Sequence, residues 1–217
     1  MIVTDCLDQY FSLMQERPDL FIASDEYPIV SDKNTIEMYQ RQNNVQIGLL
    51  YKSPYHMLIV DLIYKDDTFF TYERFVPTIN SNGVICVPVI NNKILLIKQS
   101  RHALRDCQWC LPRGFGENKI SSEENAKKEL FEEIGVIADK CKLIGSVISN
   151  SGIDKTECDI YVCKASCENV SFVFSEGITE AIQISFAEFE QMIHNGMIND
   201  GFTLSAFAFL KALRLEI

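Results

Sequence analysis

The chain has 217 residues, of which 47% are hydrophobic, and this is enough for one substantial domain or for one domain with a smaller attachment. Its formal net charge of -10 repels a polyphosphate backbone, which excludes nucleic acid as the default partner. The apolar runs are no longer than a strand and no signal sequence opens the chain, so we expect a soluble cytoplasmic protein without a membrane span.

The eight cysteines raise the question of disulfide bonds or of a metal site. A chain of this size without a secretory signal does not need disulfides, so we expect reduced thiols that pack as small apolar residues. Cys107 and Cys110 have the Cys-x-x-Cys spacing that supplies two of the four ligands of a structural zinc site. No second pair with that spacing completes four ligands, and Cys163 with Cys167 is a poor substitute, so a structural zinc is not favoured.

The spacing of apolar residues divides the chain into three segments with different predicted structure. Residues 1–45 are predicted to be a helical segment of unknown role, because "LDQYFSLM" repeats apolar residues at the spacing of one helical face. Residues 46–82 contain three runs rich in β-branched and aromatic residues, which predict antiparallel strands that lead into the core. Residues 83–217 are predicted to form the main domain. It opens with a hairpin of "VICVPVI" and "KILLIKQ" around Asn91 and Asn92.

Further strands are predicted at "CKLIGSVIS", "CDIYVCKA" and "AIQISF", and two helices close the chain. Ser185 and Glu188 have the spacing of a capping box for the first of these helices, and Thr203 is the predicted N-cap of the second. Strands flanked by helices without strict alternation predict an α/β or α+β fold, with a mixed β-sheet sandwiched between helices.

An acidic helix is predicted after the loop "LPRGFGENKI". Ser121 and Glu124 have the spacing of a capping box, and Gly135 is a suitable C-terminal stop. The buried stripe of this helix is predicted to consist of Ala126, Leu130 and Ile134.

Three carboxylates, Glu129, Glu132 and Glu133, lie on the arc beside this stripe, and each like-charged pair costs a few tenths of a kcal/mol. One interpretation is a solvated acidic face that Lys127 and Lys128 partly neutralise. The other is a set of oxygen ligands for a divalent cation, most simply Mg²⁺. The glycines of "GFG" favour the second, because they let a loop carbonyl approach the same ion.

This segment resembles the box of the Nudix hydrolases, GX5EX7REUXEEXGU, in which U is a bulky aliphatic residue. Its first glycine falls on Gly114 and its REUXEE core on residues 128–133, and the closing glycine and aliphatic residue follow in register. The chain departs from the box at Ile120, where the box has a glutamate, and at Lys128, where it has an arginine. Glu117 is the candidate replacement for the missing carboxylate.

The resemblance implies the ligands of the metal. Glu129, Glu132 and Glu133 would bind Mg²⁺, with Mn²⁺ as the alternative ion, and the backbone carbonyl of Arg113 would complete the set. Gly114 would lie at the substrate.

Three further stretches, "LLIKQSR", "LPRGFGE" and "GMINDGFTLSAFAFL", are similar to the ADP-ribose pyrophosphatases within that family. The similarity extends from Gln46 to Leu213. It implies that Arg101 binds the phosphates or the terminal ribose of the substrate, that Glu180 is the general base with Glu157 as a second candidate, and that the chain forms a homodimer through the strands before the Nudix core.

The implied activity is Mg²⁺-dependent hydrolysis of the pyrophosphate bond of ADP-ribose or a related nucleoside diphosphate sugar, which gives a nucleoside monophosphate and a sugar phosphate. One alternative keeps the chemistry and changes the substrate to coenzyme A or an RNA 5′ end. Another is a ligand-sensing module with weakened catalysis, which the departures at Ile120 and Lys128 would favour. Trp109 and Phe115 are candidates for stacking on adenine, with core packing as the alternative for both.

Overall fold

The computed structural model describes residues 3–166 and 177–215. The chain separates into two compact units. The first unit comprises Met1–Ile79 with Asn150–Lys155, and the second comprises Asn80–Ser149 with Thr156–Ile217. The predicted division at residues 45 and 82 stays a prediction. No helix within the described ranges is long and apolar enough to cross a membrane.

The first unit combines two helices with an antiparallel sheet, as the apolar patterns predict. Its elements are α1 (Val3–Glu16), a short 3-10 helix (Pro18–Leu20), α2 (Lys33–Asn43), β1 (Gly48–Lys52), β2 (His56–Lys65) and β3 (Thr68–Pro77). The strands pair in the order β1-β2-β3. The tight turn between β2 and β3 places Asp66 and Asp67 in the left-handed region, with φ of 49° and 57°, which Asp tolerates better than most residues.

A buried polar network lies in the core of the first unit. The Asp61 side chain is 2% exposed; it accepts a hydrogen bond of 2.6 Å from the Tyr10 hydroxyl and one of 2.5 Å from Nε of Arg74. Arg74 also donates to the carbonyl of Leu20 at 2.6 Å. Burial, followed by the Asp61 carboxylate, raises the pKa of Tyr10 far above its usual range, so the hydroxyl remains a donor.

The second unit is a mixed sheet between helices, which confirms the predicted fold class. Its elements are β4 (Gly83–Ile90), β5 (Lys93–Arg101), β6 (Asp106–Cys110), β7 (Arg113–Gly114), α3 (Ser122–Ile134), β8 (Lys140–Ile148), β9 (Glu157–Ala165), β10 (Ile178–Ile184), α4 (Phe186–His194) and α5 (Gly201–Ala212). The strand order is β10-β5-β4-β9-β8, with β6 on β5 and β7 on β4. The pairing of β4 with β9 is parallel, whereas the other pairings are antiparallel.

The sheet of the second unit has an apolar cluster on each face. On one face, Leu95 and Ile97 of β5 pack with Leu130 of α3. On the other, Leu96 of β5 packs with residues of α4 and α5, including Phe189. All eight residues of β4 are buried, because helices cover both of its sides.

Two local predictions in this unit are wrong. The segment "LPRGFGENKI" before α3 is predicted as a loop, but it contains β7, which pairs with β4; the residues just before it form β6, which is not predicted and pairs with β5. The N-cap of α5 is Asp200 and not Thr203, because the Asp200 carboxylate accepts hydrogen bonds from the backbone N–H of Thr203 at 3.0 Å and from its hydroxyl at 2.7 Å.

The strand conformation of β6 also explains the spacing of its two cysteines. Side chains alternate along a strand, so residues three apart point to opposite faces. Cys107 is accordingly exposed and Cys110 is buried, and the two thiols do not converge. The second proposed pair cannot be compared, since Cys167 lies outside the described residues.

Replacing Asp61 tests the buried network. In Asp61→Ala, the partly buried guanidinium of Arg74 loses its counter-charge, so we expect the free energy of unfolding of the first unit to fall by about 3–5 kcal/mol. Hydrogen exchange measured by mass spectrometry would show faster exchange in α1, β2 and β3. The exposed Asp25→Ala is the matched control and should change exchange little. Unchanged protection in Asp61→Ala would contradict the assignment.

Candidate active site

The acidic helix α3 begins and ends where its capping residues require. The Ser121 side chain accepts a hydrogen bond from the backbone N–H of Glu124, and the Glu124 side chain binds the backbone N–H of Ser121, which completes the predicted capping box. Gly135 ends the helix in the left-handed conformation, with φ of 67°. Ala126, Leu130 and Ile134 are fully buried and fix which face of the helix meets the sheet.

The three carboxylates of α3 differ in their environments because of their position around the helix. At 3.6 residues per turn, Glu133 falls beside the buried stripe, Glu129 at its margin and Glu132 farther round. Glu133 is 2% exposed, Glu129 is half-buried, and the Glu132 side chain is 54% exposed. The structure therefore brings Glu129 and Glu133 to one place and leaves Glu132 towards solvent.

The backbone of β7 is the surface against which Glu129 and Glu133 lie. The N–H of Arg113 donates a hydrogen bond of 3.2 Å to Oε2 of Glu133. A Cβ atom added to Gly114 would overlap the carboxylate of Glu129. Glycine at position 114 therefore leaves room for this carboxylate. Arg113, the predicted metal ligand, and Gly114, the predicted substrate contact, both lie against the acidic helix.

The loop after β7 is held at two further points. A Cβ atom on the buried Gly116 would overlap the carbonyl of Ser81, so this glycine permits close backbone packing. Asn125 of α3 is 2% exposed, and its Nδ2 donates a hydrogen bond of 2.8 Å to the carbonyl of Phe115. Its Oδ1 is buried and has no hydrogen-bond partner within the described part of the chain. The sequence gives no signal for the role of Asn125, because its partner is a backbone atom.

The side chain of Arg113 points to α5. Its guanidinium makes an ion pair of 3.0 Å with Asp200 and lies 4.6 Å from the centroid of the Phe202 ring. The N–H of Leu111, two residues earlier, donates to the Thr203 hydroxyl at 2.9 Å. The N-terminus of α5 therefore fixes the segment that carries β7. Sequence reasoning missed this pairing, since Arg113 and Asp200 are 87 residues apart.

Comparisons with known proteins identify this arrangement. The model of the NUDIX domain matches residues 80–194, which is more than half of the chain. The chain belongs to the Nudix family. Members of this family are pyrophosphohydrolases that act on small nucleotide substrates and generally use divalent metal ions, and this chain is a pyrophosphohydrolase.

A search of the solved structures shows the same fold. One matching crystal structure is described as an ADP compounds hydrolase; it has a TM-score of 0.66 and 17% sequence identity, and the match covers 78% of this chain and 91% of that chain. A search of the curated proteins found no match.

The two departures from the Nudix box lie in α3, at Lys128, and just before it, at Ile120. Lys128 makes ion pairs with Glu117 and, at 3.5 Å, with Glu132. The hydrogen bond to Glu117 raises the pKa of Lys128, so the ammonium stays charged. Glu117, the candidate for the missing carboxylate, therefore pairs with Lys128, which stands at the arginine position of the box. This ion pair connects the loop to α3. Ile120 lies half-buried just before the helix.

Arg101 lies at the end of β5, on the sheet face that packs against α3. Its Nη2 lies 3.3 Å from Sγ of Cys110, and its Nε is buried with no hydrogen-bond partner in the ranges that the structure describes. Burial raises the pKa of the Cys110 thiol, and the neighbouring guanidinium opposes this only in part. Arg101 therefore packs beside the buried Cys110 thiol, and its role in substrate binding stays a prediction.

The two candidates for the general base lie on β10 and at the start of β9. Glu180 is on β10, where its carboxylate is 52% exposed and lies 3.8 Å from Nζ of Lys98. The same ammonium lies 5.7 Å from the Trp109 ring, which packs on the sheet face opposite to α3. Glu157, the first residue of β9, accepts a hydrogen bond of 2.7 Å from the hydroxyl of Ser146 on β8. Neither of these two contacts involves Glu129 or Glu133.

The aromatic candidates for adenine stacking also have different environments. Trp109 is half-buried against the apolar cluster beside α4 and α5, which is core packing. Phe115 is 50% exposed in the loop after β7, so adenine stacking by this ring stays a prediction.

The donor set at β7 fits a hard divalent cation. Within residues 3–166 and 177–215, no group of three or more His, Cys, Asp or Glu side chains is arranged as a complete metal site. Mg²⁺ does not need one, because it is usually bound by one or two carboxylates, with waters and substrate phosphates as its other ligands. Glu129 and Glu133 supply such a pair.

Replacing Gly114 tests the contact between β7 and the helix. In Gly114→Ala the new methyl group must displace the Glu129 carboxylate. We therefore expect kcat/KM for hydrolysis of the pyrophosphate bond of a nucleotide substrate to fall on the order of 100-fold. The thermal midpoint should change little, because a flexible side chain yields. The matched control is Gly201→Ala, whose Cβ meets nothing within 4 Å and which should retain activity. Full activity in Gly114→Ala would show that Glu129 is not needed where it lies.

Proposed function

We propose that the chain hydrolyses the pyrophosphate bond of ADP-ribose or a related nucleoside diphosphate sugar, with Mg²⁺ as the cofactor and Mn²⁺ as a substitute. The observation that carries this proposal is the pair of carboxylates, Glu129 and Glu133, held against the backbone of β7 in a Nudix domain. The fold shared with a protein described as an ADP compounds hydrolase supports the choice of substrate class.

In the proposed reaction a water molecule attacks one phosphorus, and the other phosphate leaves with the electron pair of the bridging P–O bond. A divalent ion, when bound, neutralises charge on the phosphate oxygens and lowers the pKa of a bound water. Glu129 and Glu133 would hold this ion, together with the carbonyl of Arg113. Without it, the two carboxylates repel each other one helical turn apart.

The resemblance to the ADP-ribose pyrophosphatases supports roles for three other polar residues. Arg101 would bind the diphosphate or the terminal ribose, because a guanidinium can donate two parallel hydrogen bonds to phosphate oxygens. Glu180 is the proposed general base by the resemblance, although its carboxylate pairs with Lys98 on the sheet face opposite to α3. Glu132, which is exposed on α3 itself, is the box carboxylate that could accept the proton instead.

The oligomeric state and the cellular location complete the proposal. By its resemblance to the ADP-ribose pyrophosphatases, the chain would act as a homodimer that pairs through the strands of the first unit. The predicted cytoplasmic location stays a prediction.

The proposal is tested by incubating the purified chain with ADP-ribose and Mg²⁺ and separating the products by chromatography. We expect AMP and ribose 5-phosphate. Glu129→Gln and Glu133→Gln should each lower kcat/KM on the order of 100-fold or more, because each removes charge that holds the ion. Glu132→Gln, which keeps the shape of an exposed residue, should cost less. Unchanged activity in Glu129→Gln and in Glu133→Gln would contradict the assignment of the pair.

The same assay separates the alternatives. Coenzyme A and a capped RNA oligonucleotide are tested beside ADP-ribose, and hydrolysis of either in its place would change the substrate. Calorimetric binding of ADP-ribose without release of AMP would favour the ligand-sensing module. A loss of kcat in Glu180→Gln with Glu132→Gln unaffected would place the base on β10, and the reverse result would place it on α3.

A further inference from the structure

Three buried thiols lie together beneath α3. Cys86 is on β4, Cys163 on β9 and Cys141 on β8, which are neighbouring strands of the second unit. Cys86 and Cys163 are fully buried, and Cys141 is 7% exposed on the edge strand. The proposed hydrolysis uses none of them.

Cys141 and Cys163 have the geometry of a disulfide pair. They are directly opposite each other in the antiparallel pairing of β8 with β9, and their Sγ atoms are 2.8 Å apart. Directly opposed residues in such a pair have Cα atoms about 4.5–5.5 Å apart, which lies within the range that a disulfide bridges. The two strands are therefore already within bridging distance, and closure shortens the separation of the sulfur atoms from 2.8 Å to about 2.0 Å.

The third thiol has a different partner. Sγ of Cys86 donates a hydrogen bond of 3.4 Å to the carbonyl of Ala126 in α3. The Cys163 thiol also interacts with the Cys86 thiol. Cys86 therefore links the sheet to the acidic helix, and a bond between Cys141 and Cys163 leaves this link in place.

A thiolate metal centre is the other chemistry that three cysteines suggest. Among the residues that the structure describes, no such group of side chains is arranged to hold an ion. The close approach involves two sulfur atoms, which is what a disulfide requires.

We propose that Cys141 and Cys163 form a disulfide bond when the protein meets a peroxide or a small-molecule disulfide. The two S–H bonds are lost and one S–S bond forms. Two electrons and two protons pass to the oxidant, which gives two waters from hydrogen peroxide or two thiols from a small-molecule disulfide. Cys86 stays a thiol.

The bond would fasten the edge strand β8 to the interior of the sheet behind α3. It closes the chain between residues 141 and 163 into a loop, which restricts the unfolded state and so stabilises the folded one. The hydrogen bond to Cys163, together with burial, raises the pKa of the Cys141 thiol far above its usual range, so closure is slow at neutral pH.

The test is a peptide map of the full chain after a long incubation with hydrogen peroxide or oxidised glutathione, with remaining thiols blocked before digestion. Trypsin releases Cys141 in the dipeptide "CK" and Cys163 in "TECDIYVCK". We expect these peptides to be joined, with a mass 2 Da below their sum and separation by dithiothreitol. Fragmentation distinguishes Cys163 from Cys158 on the same peptide.

Matched variants on β9 sharpen the result. Cys163→Ala should abolish the cross-link, whereas Cys158→Ala, which lies on the opposite face of the sheet, should retain it. The oxidised wild-type protein should melt several degrees above the reduced protein. If Cys141 and Cys163 still carry the thiol-blocking group after oxidation, or if Cys86 is cross-linked to Cys163 instead, the proposal is overturned. The peptide map of the wild-type protein decides this even if a variant fails to fold.

Discussion

The contact of two carboxylates with a two-residue strand is the constraint on which the site depends. Glu133 is buried and accepts the N–H of Arg113, while Glu129 occupies the space that a side chain at Gly114 would fill. Burying one carboxylate beside another is unfavourable unless positive charge is added. The proposed divalent cation would add that charge at the place where a diphosphate would bring more negative charge. The same contact thus explains the need for glycine, the burial of one glutamate and the proposed chemistry.

The fold keeps β7 in position through interactions that are distant in sequence. The strand pairs with β4, and the guanidinium of Arg113 is anchored to Asp200 at the N-terminus of α5. On the other side, Asn125 holds the carbonyl of Phe115, and Lys128 joins Glu117 to α3. These contacts fix a loop that would otherwise be free to move relative to the helix. A departure from the Nudix box at Lys128 therefore retains an ion pair between loop and helix.

The helix was predictable from its sequence because its determinants are local. Capping residues, a terminal glycine and a buried stripe all lie within fifteen residues, and the Nudix box adds the register. The strands β6 and β7 were not predictable, since they are short and depend on partners elsewhere in the sheet. Asp200 and Thr203 are both good N-caps three residues apart, so only the structure decides between them. The positions of Glu180 and Glu157 depend on the sheet as a whole, which composition and spacing do not determine.

Binding of Mn²⁺, measured by electron paramagnetic resonance, tests the central claim most directly because it needs no substrate. The wild-type chain should take up Mn²⁺ and lose it to excess Mg²⁺, and the variant that combines Glu129→Gln with Glu133→Gln should not bind it. Glu132→Gln, which changes the exposed carboxylate of the same helix, should bind nearly as the wild type does. Equal Mn²⁺ binding by the wild type and the double variant would contradict the claim that this pair holds the ion.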